Sequence, residues 1–198
     1  MYPKSLKTLI EYFKMLPGIG EKTAERLAFS VLSFDKDDID GFSLALKDVN
    51  VKIKRCKICN NISESDVCEI CSDETRQKDT ICVVEDAKSV ILFEKIGTYR
   101  GLYHVLDGLI SPLEGINPGD INVSSLTSRV DNEDVKELVL AVKPSIEGET
   151  TSLYIVKLFE NSEVTVSKIA HGVPLGADME YIDSMTLEMA LEDRKKIS

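Results

Sequence analysis

A chain of 198 residues with 43% hydrophobic and 29% charged residues has an ordinary globular composition, with room for one large domain or two modest ones. No apolar run approaches the roughly 20 residues that span a bilayer. The opening MYPKSLKTLIEYFK is too charged and too periodic for a secretory leader, so a cytoplasmic location with no membrane contact is the default expectation. The net charge of −10 excludes a protein that coats nucleic acid over its whole surface. The charge is uneven: residues 1–60 carry 11 Lys/Arg against 8 Asp/Glu, and residues 61–198 carry 13 against 26. A phosphate-binding face therefore belongs near the amino terminus.

In chain order, Leu6, Leu9, Ile10 and Phe13 repeat at helical spacing, and Pro17 and Gly18 end that helix. Ala24, Leu27, Ala28 and Val31 predict a second helix over about 21–33. Phe42, Leu46, Val49 and Ile53 share one face of a third, over about 38–53. Two cysteine pairs follow, and the polar SDETRQKD (72–79) reads as a linker. TICVVE is a short apolar run ending in an acid, a buried strand. Residues 86–96 are helical, with Val90, Leu92 and Phe93 apolar. GLYHVLDG is a second strand and LISPLEGINPG (109–119) a loop. KELVLAVKP is a third strand, followed by a helix near 149–160, and EVTVSKIA a fourth. GVPLGAD (172–178) is a turn-rich loop, and residues 183–195 close the chain as a helix carrying Met185, Leu187, Met189 and Leu191. Strands alternating with helices predict a mostly parallel α/β sheet.

The first chemistry lies in LPGIGEKTAERLA. Amides of the Gly18–Ile19–Gly20 turn and of the second helix's first turn lack intrahelical partners, and the helix dipole favours an anion there. Lys22 and Arg26, one turn apart, are placed to flank a phosphate. Such a contact reads backbone and not bases. The plainer reading is an αα-turn whose glycines only cap.

Cys56, Cys59, Cys68 and Cys71 form C-x2-C-x8-C-x2-C. Four thiolates in this spacing suit tetrahedral, closed, structural Zn2+, one per chain. An iron–sulfur cluster or a redox dithiol is the alternative, with a different customary spacing. The fifth cysteine, Cys82, lies in ICVV and reads as core.

The order of these parts resembles the RecR family of recombination mediators. LPGIGEKTAERLAF, the cysteine quartet, YRGLYHVLDGLISPLEGI and IAHGVPLGADMEYIDSMTLEMAL carry the resemblance over nearly the whole chain. It implies a helix-hairpin-helix region for DNA binding and oligomerisation (1–55), a four-cysteine zinc finger (56–72), a Toprim-like, mostly parallel α/β domain (79–170) and a carboxy-terminal helical oligomerisation arm (171–198). It implies a non-enzymatic mediator of recombinational repair that binds DNA without sequence preference. Such a protein works as a homo-oligomer, a tetrameric ring, with RecO-like and RecF-like partners that help load a strand-exchange protein on gapped or single-stranded DNA.

Toprim enzymes hold magnesium on a glutamate after the first strand and acids after a later one. Glu85 matches the first position, and Glu147 and Glu149 lie near the second as an acidic site or partner surface. Lys143 stands where family members carry Asn and Toprim enzymes an acid, and a cation there opposes magnesium chemistry. Glu85 has a plainer reading, capping the helix that follows it. Tyr99, Arg100 and Tyr103 read as packing or, by the resemblance, as a surface for DNA or a partner. His104 reads as a packed core or interface residue, and His171, beside a glycine loop, fits either of those roles. The alternative functions are a Toprim-type magnesium-dependent nuclease or primase, and a purely structural zinc adaptor.

Overall fold

The computed structural model describes residues 2–170 and 172–196, so His171 lies outside the described residues. The chain divides into two compact units, Met1–Ile53 and Lys54–Ser198.

In the first unit α1 (Lys4–Lys14) and α2 (Glu21–Val31) form a hairpin. Leu6 and Ile10 of α1 bury against Ala24 and Ala28 of α2, with Leu9, Phe13 and Ile19 packed round them. Alanine at both α2 contact positions lets the two backbones approach closely. Helix α3 (Lys36–Lys52) begins two residues before the apolar pattern suggests, because Asp35 caps it by accepting from the Asp38 amide at 2.8 Å. Its apolar stripe is uncovered: Leu46 is 62% and Val49 65% exposed, Phe42 is exposed as well, and no residue of α3 is buried. Ile53 stands just past the helix, as its C-cap.

The second unit opens with a knuckle made of β1 (Lys54–Arg55), β2 (Ile62–Ser63) and the short α4 (Glu69–Ser72). Four parallel strands follow: β3 (Thr80–Val84), β4 (Leu102–Val105), β5 (Glu137–Ala141) and β6 (Thr165–Lys168), in the spatial order β4-β3-β5-β6. Helices α5 (Ala87–Ile96), α6 (Val123–Asn132) and α7 (Ile146–Leu158) connect them, and α8 (Ser184–Glu192) closes the chain. Val83 pairs with His104 on one side and Leu140 on the other, which sets the register. Alternation along the strands sends Ile81, Val83, Leu138 and Leu140 to one face, with Leu126 and Ile155. It sends Cys82, Val84, Tyr103 and Val105 to the other, with Val90. Both faces are covered, as a parallel sheet requires.

Three further features depart from the sequence reading. Helix α6 is absent from it: Val123, Leu126 and Val130 do stand at helical spacing, but they are spread among polar residues, and another inward position is filled by Arg129, which is buried. Residues 72–79 are not a loose linker but a strap laid along the sheet. The Arg76 side chain is buried and holds Glu94 of α5 through a guanidinium–carboxylate pair and the Gly101 carbonyl at 3.0 Å. The Gln77 amide donates to the Arg100 carbonyl, and the Asp79 carbonyl accepts from the amides of Lys136 and Glu137. Helix α7 starts at Ile146, three residues early, with Ser145 capping Gly148.

Candidate nucleic-acid interface and metal centre

Gly18 takes φ +79, a left-handed conformation that glycine adopts without a Cβ penalty, and this turns α1 into α2. Gly20 is the N-cap of α2 and supplies no side-chain cap. The first helical bond runs from the Ala24 amide to the Gly20 carbonyl, so the amides before it point outward from the helix end. The Ile19 amide is spent within the turn on the Leu16 carbonyl at 3.1 Å, and its side chain packs on the hairpin core. Of the three turn residues, Gly18 and Gly20 are the ones whose amides have no backbone acceptor among the described residues. Lys22 and Arg26 lie on the outer side of α2. Glu21, which would repel an anion, is turned to Lys14 at 2.6 Å.

The cysteine quartet is a preformed cluster: its four sulfurs lie within 4.8 Å of one another. The knuckle is wound by Asn60, at φ +61, whose amide donates to the Cys56 carbonyl. The Cys68 amide donates to the Cys56 sulfur at 3.3 Å, the bond a thiolate attracts. The Cys59 and Cys68 sulfurs stand 3.6 Å apart. Four sulfurs this close suit one divalent ion shared among them, so the donor set fits zinc. Cys56, Cys59, Cys68 and Cys71 would hold it in a closed shell that supplies folding free energy and no reactive position. Cys82 is far less reactive: it is buried in β3, and desolvation pushes its thiol up to about 12.

The carboxylates at the carboxyl end of the sheet are arranged differently. Glu85 does not cap α5. Asp86 does, accepting from the Ser89 amide at 2.8 Å. Glu85 instead pairs with the Lys143 ammonium at 3.4 Å, so the cation at position 143 faces the acid that Toprim enzymes give to magnesium. Glu147 accepts from the Ser145 hydroxyl at 2.7 Å, and that bond, with the charge of Lys143, holds its carboxyl below the usual range. Glu149 turns to Lys168. Among the described residues these three glutamates form no cluster able to share an ion, and the cysteine quartet does.

Tyr103 and His104 are fully buried in β4, and Tyr99 meets Tyr103 edge-on at 5.1 Å. The two tyrosines are therefore packing residues, while Arg100 is exposed and donates to the Thr75 hydroxyl at 3.0 Å. The sequence reading missed Arg129. Its Nη1 donates to the Tyr103 carbonyl at 2.7 Å on the outer edge of β4, and its Nε to Glu133.

Family models match almost end to end. They are described as RecR, helix-hairpin-helix (residues 6–49), the RecR zinc finger domain of four-cysteine type (53–73), Toprim domain (79–170) and RecR, C-terminal (172–195). Recombination protein RecR of Natranaerobius thermophilus is 47% identical over 196 residues, covering 99% of this chain and 98% of that protein. Recombination protein RecR of Staphylococcus saprophyticus is 48% identical over the same length, covering 99% of each. The chain belongs to the RecR family. RecR membership gives it a role in recombination repair, with a DNA-binding helix-hairpin-helix, and identifies the quartet as a structural zinc site. No helix among the described residues is long and apolar enough to cross a membrane.

Proposed function

We propose that this chain is a non-enzymatic cytoplasmic mediator. It grips DNA by its backbone and, with RecO-like and RecF-like partners, loads a strand-exchange protein on gapped or single-stranded DNA. The observation that carries this is the open amino terminus of α2. Its amides have no side-chain cap, the Gly18 turn clears the approach, and Lys22 and Arg26 stand on the outer side of the same helix. The Lys143–Glu85 pair supports the non-enzymatic part, since it fills the magnesium position with a side-chain cation.

A ring of four copies suits both the charge and the uncovered apolar surface. Only an inner wall need be basic. Leu46 and Val49 of α3, and Leu175, Tyr181, Met185 and Leu191 near the carboxy terminus, are exposed apolar side chains that neighbouring copies would cover.

The test is DNA affinity against salt concentration. Lys22→Ala with Arg26→Ala should lower the slope of log K on log salt by about two units on a duplex, equally for unrelated sequences. The fold should be unchanged, because neither side chain belongs to the hairpin core of Leu6, Ile10, Ala24 and Ala28. A double variant that binds as the parent does at every salt concentration removes the hairpin as the DNA element.

A further inference from the structure

The four cysteines are not equivalent. Cys56, Cys59 and Cys68 are buried, whereas Cys71 is partly exposed. Cys71 also lines a cleft of about 560 Å3 between the knuckle and α6, whose walls include Ile58, Lys78, Leu102 and Arg129. Of the four cysteines, Cys71 is the one that lines this cleft. Lys78 and Arg129 line the same cleft beside three acids, Asp79, Glu133 and Asp134, so it offers an uncharged oxidant a polar approach with no excess of positive charge.

We propose that Cys71 is a modification site: the sulfur through which a two-electron oxidant of the peroxide class opens the zinc centre. The Cys71 thiolate attacks one peroxide oxygen, forming an S–O bond as the O–O bond breaks. The leaving hydroxide takes a proton and departs as water, and the sulfur is left as sulfenic acid. The Cys68 sulfur, at the head of α4 and inside the cluster whose sulfurs lie within 4.8 Å, attacks the sulfenic sulfur. An S–S bond forms and a second hydroxide leaves and is protonated. In sum, four thiolates, one Zn2+, one peroxide and two protons give one disulfide, two thiolates, free Zn2+ and two waters. Two ligands cannot hold the ion, so it is released.

The consequence reaches the sheet, because the knuckle is bonded to it. The Cys59 carbonyl accepts from the Val105 amide at 2.8 Å and the Asn60 side chain donates to the Val105 carbonyl at 3.1 Å. Arg55 pairs with Asp107 at 2.6 Å. Opening the metal centre loosens the part of the chain that makes these contacts and frees the outer edge of β4.

The experiment uses the zinc-loaded full chain and hydrogen peroxide, with released zinc followed by a chromogenic chelator and the cysteines mapped by mass spectrometry. Cleavage after Glu64 and Glu69 places Cys59, Cys68 and Cys71 on three separate peptides. The expected result is oxidation first at Cys71, a Cys68–Cys71 cross-link, release of about one zinc per chain, and faster hydrogen exchange at the Val105 amide. Cys82 stays reduced throughout. Because Cys71→Ser removes a ligand and with it part of the folding free energy of the knuckle, the decisive variants keep a fourth ligand. Cys71→His should slow zinc release by about tenfold or more, while Cys56→His should stay within about twofold of the parent. Equal protection by the two variants, or first oxidation at Cys56, Cys59 or Cys68, would overturn the proposal.

Discussion

His104 lies in β4 with no exposed surface, and its Nε2 bonds the Asn122 carbonyl at 2.8 Å while Nδ1 meets no partner among the described residues. A carbonyl accepts, so Nε2 carries the proton. Burial holds the imidazole's pKa down at about 4, against an ordinary 6.5. The unfolded chain takes up a proton across that interval and the folded chain refuses it. Stability is therefore full above pH 6.5, falls as the pH drops, and levels off for this group below 4. Urea midpoints should correspond to a loss of about 2 kcal/mol from this residue between roughly pH 7 and pH 5. His104→Gln should flatten that part of the profile. Gly148 makes a second prediction at this scale. A Cβ there would lie 1.9 Å from the Lys143 carbonyl oxygen, whereas one on Gly119 meets nothing within 4 Å. Gly148→Ala should cost about 2 kcal/mol or more in denaturant unfolding, and Gly119→Ala well under about 1.

Among the elements, α5 tests which acid caps. Asp86→Ala should lower stability by about 1 kcal/mol, the usual cost of a lost N-cap. Glu85→Ala should cost less than about 0.5, because its partnership with Lys143 is a part-exposed ion pair. The sequence invites the opposite assignment, since Glu85 directly ends the strand and is also the acid of the resemblance. The hairpin and the knuckle were legible because their signals are local: apolar side chains at helical spacing, and four cysteines in two close pairs. Helix α6 was not. Its apolar contacts, Val123, Leu126 and Val130, are spread among polar residues, and its third buried position belongs to Arg129, which points inward to satisfy a carbonyl 26 residues away on β4, a demand that nothing in NVSSLTSRVDN announces. The strap at 72–79 was misread for the same reason. Its polar side chains look solvated until Glu94 and the Gly101 carbonyl are brought to Arg76 by the fold. The same limit applied to Ile19, whose amide the turn itself consumes.

For the whole molecule, the two units should respond differently to loss of zinc. A chelator should lower the unfolding temperature of signals from residues 54–198, where the metal supplies folding free energy to a knuckle with little core of its own. Signals from the hairpin, whose core is Leu6, Ile10, Ala24 and Ala28, should stay put, as site-resolved hydrogen exchange can show. A single shared shift would mean that the two units unfold as one. The split in charge was readable from composition, because counting needs no fold. The uncovered stripes were not, because an apolar face in a sequence looks the same whether its own chain or another copy covers it.

The outer edge of β4 is closed from three sides: the knuckle at Val105, Arg129 at Tyr103 and the strap at Arg100 and Gly101. An open edge strand is a template on which any extended chain can add itself, the start of aggregation. A ribosome delivers residues 54–79 before residues 102–105, so two of the three covers exist before the edge they protect. A circular permutant that moved the knuckle behind the sheet could reach the same final contacts. It would, however, spend its synthesis with a bare template exposed, and it should yield more insoluble chain than the natural order does at equal stability. On this view the place of the cysteines in the gene order contributes to solubility, apart from the metal they bind.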